Sequence, residues 1–121
     1  MNREIKFRAF DGSKIIYGVD ISNNGYVIQS GYEYPEWNVM QFTGLKDKNG
    51  KEIYEGDIIT AVAKQTNWPA KGKVEYLTKT ASFAVNTGPE FIDSGDYFFW
   101  FNTHTNFEII GNIHNPQTTQ P

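Results

Sequence analysis

Apolar and polar residues alternate from the start of the chain: Ile5, Phe7 and Ala9 interleave with Glu4, Lys6 and Arg8 between Arg3 and Ala9. A period of two describes a strand with one buried face. Asp11-Gly12-Ser13 then turns the chain, and Lys14 to Ile21 returns it as the second arm of a hairpin. Asn23-Asn24-Gly25 supplies another turn, leading into a short strand from Tyr26 to Gln29. In the segment GYEYPEW, Gly31 to Trp37, Pro35 argues against a central strand. Its rings Tyr32, Tyr34 and Trp37 either fold back onto the sheet or stand out as a contact platform.

The pattern centres on Met40 to Ile59. Asn49-Gly50 suits a two-residue type I′ turn, whose central residues both need positive φ. This predicts a hairpin with Val39, Met40, Phe42 and Leu45 on one arm and Ile53 and Tyr54 on the other. Lys46, Asp47, Lys48, Lys51 and Glu52 are expected to keep its tip in solvent. Glu55-Gly56-Asp57 marks a second reversal, with Asp57 placed to cap it by accepting backbone N–H bonds. From there five strands are expected, at 57–63, 72–77, 82–87, 97–102 and 107–113, around a polar loop from Lys64 to Gly72. Five short strands at that interval predict a mainly β protein: a small SH3-like or partly open β-barrel over residues 57–113, with an N-terminal β-hairpin extension.

The predicted strand Tyr97-Phe98-Phe99-Trp100-Phe101 is apolar without alternation, so both of its faces need cover. The expected cover is the N-terminal lobe or a second copy of the chain, which makes Phe98, Phe99, Trp100 and Phe101 candidate oligomer contacts.

Composition narrows the function classes. Aromatics make up 16% of the 121 residues and glycine is frequent, a balance that favours strands. A net charge of −3 provides no overall positive field, so nucleic acid would need a local patch. Two are available: Arg3, Lys6 and Arg8 on the first strand, and Lys64, Lys71 and Lys73 around Trp68. The first also reads as an edge strand charged against edge-to-edge pairing, the second as an ordinary solvated loop. The chain has no cysteine, hence no disulfide or thiolate site, and it has neither a membrane-length apolar segment nor a signal-peptide core. A soluble cytoplasmic protein is expected. No cofactor or metal is expected: His104 and His114 lack ligand spacing and read as surface or turn histidines, while Glu90, Asp93 and Asp96 read as a solvated acidic loop. No nucleophile elbow or phosphate-cradling loop is present, so the chain is not expected to be an enzyme.

Three blocks carry a resemblance. REIKFRAFD from Arg3 to Asp11, FTGLKDKNGKEIYEGDII from Phe42 to Ile59 and EIIGNIHNP from Glu108 to Pro116 together resemble the YopX family of small phage and prophage proteins. The resemblance implies a bacteriophage-associated protein able to self-associate, and it brings no catalytic residue to carry over. On this reading residues 1–116 form a single YopX-like domain, with lobes 1–56 and 57–116, and residues 117–121 fray as a tail. The expected function is a non-enzymatic, homo-oligomeric binding or assembly protein whose partner is a host or phage protein. The alternative is a nucleic-acid-associated accessory protein using one of the two basic patches.

Overall fold

The computed structural model describes residues 4–88, 97, 98 and 100–114. Two antiparallel sheets organise them. The first contains β1 (Phe7–Phe10), β2 (Ile15–Ile21), β3 (Val27–Gln29), β4 (Tyr32–Tyr34), β5 (Asn38–Lys46) and β6 (Glu52–Tyr54), in the order β4-β3-β2-β1-β5-β6. The second contains β7 (Asp57–Ala63), β8 (Pro69–Leu77), β9 (Ser82–Asn86), β10 (Tyr97–Phe98) and β11 (His104–Asn112), with a helical turn α1 (Trp100–Thr103) just before β11. Its order, β10-β9-β8-β7-β11, places the last strand beside the first. β10 and β11 lie at opposite edges without pairing to each other, so the expected partly open β fold is present and no closed barrel forms among the described residues.

Turn chemistry explains the first sheet. The Asp11 carboxylate accepts hydrogen bonds from the backbone N–H of Ser13 (2.8 Å) and Lys14 (2.9 Å), fixing the β1–β2 turn. Those bonds hold its pKa at about 2, below the ordinary 3.8. Because the folded value is the lower one, the stabilisation is complete above pH 3.8 and is lost as pH falls through about 2. Acid unfolding of Asp11→Asn should therefore lack the part of the wild-type slope between those values, and identical acid limbs would contradict the assignment.

The type I′ geometry sits elsewhere than expected. Ser30 and Gly31 both have positive φ, 54° and 84°, and close a two-residue loop between the paired Gln29 and Tyr32. At Asn49-Gly50 only the glycine is left-handed, at 84°. There Gly50 N–H donates to the Asp47 carbonyl (3.0 Å) and Asp47 N–H to the Lys51 carbonyl (2.7 Å), which makes a three-residue loop with a bulge glycine.

The tip stands in solvent at Lys46, Lys48 and Lys51 as expected, and the expectation needs correction at Asp47. Asp47 is buried, accepting from Asn49 N–H and Lys51 N–H (both 2.9 Å) through Oδ1 and from Ile109 N–H (3.1 Å) through Oδ2. With Lys48 N–H bonded to the Phe107 carbonyl (2.8 Å), the hairpin tip docks on β11 and covers part of its outer edge.

Four of the five strands expected after residue 56 form close to their predicted positions, with Pro69 as the first residue of β8, where its missing N–H is tolerated. The fifth is a correction. Tyr97 and Phe98 pair with Asn86 and Val85, but Trp100 and Phe101 belong to α1, and Phe99 lies outside the described residues. The helical turn carries Trp100, 3% exposed, into a core with Ile53, Ile59, Ala61, Val74 and Val85. Phe101 packs on Phe107 with ring centroids 5.2 Å apart. Trp100 is covered by its own chain, and Phe101 partly so.

A second core lies on the far face of the first sheet, around Ala9, Val19 and Val27. Tyr34 and Trp37 stack at 4.1 Å and close over it, so two of the three aromatics of GYEYPEW fold back on the sheet while Tyr32 stays exposed. In the second sheet, β8 approaches β9 closely at Gly72: a Cβ there would overlap Val85 Cγ1 and lie 2.8 Å from the Asn86 carbonyl oxygen. Gly72→Ala should cost about 1–3 kcal/mol through this overpacking. Chemical denaturation reads it, and a neutral result would mean that β8 and β9 can separate freely.

Candidate functional site

The two sheets meet where β1 crosses the turn between β6 and β7. Alternation along β1 directs Ala9 into the second core and Arg8 toward the opposite face, where the second sheet covers it. Arg8 is 3% exposed. Its Nη2 donates to Asp57 Oδ1 at 2.8 Å and to the Glu55 carbonyl at 3.2 Å, and its Nη1 reaches the Tyr17 hydroxyl at 3.4 Å. The guanidinium carbon lies 4.7 Å from the Tyr54 ring centroid and 5.8 Å from that of Tyr17, two cation–π contacts from rings that themselves meet edge to face at 5.7 Å.

Asp57 serves two purposes. Oδ2 accepts the Tyr54 N–H at 2.8 Å, so the carboxylate caps the reversal as the sequence implied, while Oδ1 pairs with Arg8. Gly56 has φ 86°, and a Cβ on it would stand 3.0 Å from the Met40 sulfur, which explains glycine at this point of the turn. Further ties close the same junction. Ile113 N–H donates to the Gly56 carbonyl (2.9 Å), and the His114 ring stacks on Phe10 at 4.0 Å with Nε2 3.1 Å from Asn38 Oδ1.

Burial governs the electrostatics here. It pushes the Asp57 carboxyl above its usual range, with the Arg8 charge and the Tyr54 N–H pulling back. It raises Glu55 too, where Glu75 adds a like charge, and it lifts the Tyr54 hydroxyl to about 12. Both histidines are lowered by burial.

A cleft of about 350 Å³ opens beside the pair, bounded by Arg8, Tyr17, Tyr54, Asp57, Ile109 and Asn112. It draws on β1, β2, β6, β7 and β11, so no single motif marks it.

The first basic patch does not assemble on the surface. Arg8 is buried on Asp57, Lys6 Nζ contacts Glu52 and lies 3.5 Å from Glu4, and Arg3 lies outside the described residues. The physical reason is that the covered strand has no solvated face at Arg8. Of the second patch, Lys64, Trp68 and Lys71 surround the β7–β8 turn, where Trp68 is 72% exposed, whereas Lys73 pairs with Glu75 at 2.8 Å. Another hollow of about 350 Å³ lies next to this turn, lined by Lys64, Thr66, Thr103 and His104. Of the candidate oligomer contacts, Phe98 enters as a backbone partner of Val85, Trp100 is buried, and Phe101 is half-buried against the core.

Among the described residues no group of three or more His, Asp or Glu is placed to hold a metal. His104 stacks on Trp100 at 4.7 Å, a contact separate from that of His114 with Phe10. Glu90, Asp93 and Asp96 lie outside the described residues. No helix there is long and apolar enough to cross a membrane.

Solved structures share this architecture. The chain is 26% identical to protein EF1440 from Enterococcus faecalis, which it matches with a TM-score of 0.62 over 98% of this chain and 100% of that one. Protein yopX from Bacillus subtilis, 20% identical, has the same fold at a TM-score of 0.56 over 93% and 95% of the two chains. A comparison with curated proteins found no match. The family described as YopX protein matches residues 18–118, a range that holds the central and C-terminal blocks and leaves out the block from Arg3 to Asp11. With most of its length inside that match, the chain belongs to the YopX family.

Proposed function

We propose that this YopX-family chain is a phage- or prophage-encoded binding or assembly module, non-enzymatic and homo-oligomeric, acting in the cytoplasm of a bacterial host. One observation carries the reading. The fold buries Arg8, Asp47 and Asp57 as ties between its own strands, yet leaves Trp68 72% and Tyr32 69% exposed. Large rings held at a turn and at an edge strand are typical contact residues, because they bring apolar area at low entropic cost. With Trp100 buried and Phe101 half-buried inside the chain, self-association falls, among the described side chains, to these exposed rings. Light scattering on the wild type, Tyr32→Lys and Trp68→Lys tests it. The expected result is a wild-type mass above the 13.8 kDa of one chain that drops in one of the variants. A wild-type monomer at every concentration would overturn the assembly role.

A second reading rests on the β7–β8 turn, where Lys64 and the exposed Trp68 precede Lys71 at the start of β8, an aromatic amid basic residues that suits single-stranded nucleic acid. It predicts quenching of Trp68 fluorescence by an oligothymidylate that weakens steeply with salt. Absence of quenching at low salt removes it.

A further inference from the structure

A guanidinium carries five N–H donors, and the fold engages those of Arg8 incompletely. Nη2 is bonded to Asp57 and to the Glu55 carbonyl, Nη1 makes only the 3.4 Å contact to Tyr17, and Nε has no hydrogen-bond partner although it is shielded from solvent. Folded proteins leave few buried donors in this condition, and each asks for an acceptor. The space against this arginine is the 350 Å³ cleft, within the range of small-molecule sites.

Charge indicates what kind of acceptor fits. Asp57 is balanced by Arg8, and Glu52, which also lines the cleft, is balanced by Lys6. Lys51 lines it as well, exposed and with no ion pair among the described residues, so it is a cation of the cleft left for a ligand to engage. The rings of Tyr17 and Tyr54 and the side chain of Ile109 offer an apolar wall. Tyr17 lies over the guanidinium, is 61% exposed, and is tied to it by one long contact, which makes it the side that opens.

We propose that this cleft binds a small organic anion, an oxyanion group on a flat or apolar body. The oxyanion accepts from Arg8 Nε and Nη1 and pairs with Lys51, while the body lies along Tyr17 and Tyr54. Carboxylate and phosphate share this chemistry.

The test follows the Arg8 Nε–Hε signal by NMR during addition of benzoate, phenyl phosphate, inorganic phosphate or benzyl alcohol. Arg3 and Arg8 are the only arginines in the chain, so Arg3→Lys assigns the signal. Benzoate or phenyl phosphate should shift it saturably, and which of the two binds more tightly identifies the oxyanion; benzyl alcohol should leave it in place. Lys51→Gln should weaken binding roughly tenfold, the effect of one charge-assisted hydrogen bond. Tyr17→Ala should weaken the two aromatic anions while sparing inorganic phosphate. The proposal is overturned by the absence of a saturable shift at about 10 mM, tenfold above a millimolar Kd. It is equally overturned if benzyl alcohol binds as well as benzoate, if inorganic phosphate alone binds, or if Lys51→Gln changes nothing.

Discussion

Replacing Asp57 by alanine is expected to cost about 3–5 kcal/mol of folding stability, since it leaves Arg8 as an uncompensated buried charge. The same change removes the acceptor of the Tyr54 N–H and loosens the reversal that leads from the first sheet into the second. Against the roughly 5–15 kcal/mol that keeps a small domain folded, this single side chain decides whether the sheets stay docked. Urea denaturation measures it. The double variant Arg8→Met/Asp57→Asn should recover much of the loss, because a buried pair replaced on both sides carries no orphaned charge. A cost below about 1 kcal/mol for Asp57→Ala is the size expected of an exposed ion pair and would rule out a closed junction.

Trp100→Ala should be comparably severe, at about 3–5 kcal/mol, for a different reason. The indole is held among Ile53 of β6, Ile59 and Ala61 of β7, Val74 of β8 and Val85 of β9, so its removal leaves a void that touches both sheets. Thermal unfolding reads the loss, and Trp100→Phe should recover part of it by refilling the space. If Trp100 were instead a subunit contact, alanine would lower the solution mass while sparing the stability of the monomer. The two measurements taken together separate these cases.

Much of the fold was legible because β patterning is local. Alternation located β1, β8 and β9, turn residues located β2 and β7, and the spacing of apolar runs announced the five-stranded second sheet. What escaped was non-local or too short to leave a pattern. Arg8 reads as a solvated residue because period-two alternation assigns one face to water; its partner Asp57 lies 49 residues away, and nothing between them signals that a second sheet covers that face. Asp47 looked like part of a wet hairpin tip for the same reason, since the N–H it accepts from Ile109 comes from 62 residues further along the chain. Ser30-Gly31 hides its type I′ turn because serine is an uncommon host for positive φ. The four-residue helix α1 has no cap or periodicity to announce it, and an aromatic run is the usual mark of a strand. The cleft was illegible altogether, being assembled from five strands, while Trp68 and its neighbouring lysines could be read because they are close in sequence.

The fold and the cleft both depend on Arg8 being an internal tie. The most direct measurement is the exchange of its Nε–Hε proton with water, followed by NMR. A protected signal, exchanging slowly in the wild type and as fast as a free arginine side chain in Asp57→Asn, is the predicted result. An Arg8 proton that exchanges like a free side chain already in the wild type would place the arginine at the surface and contradict the account.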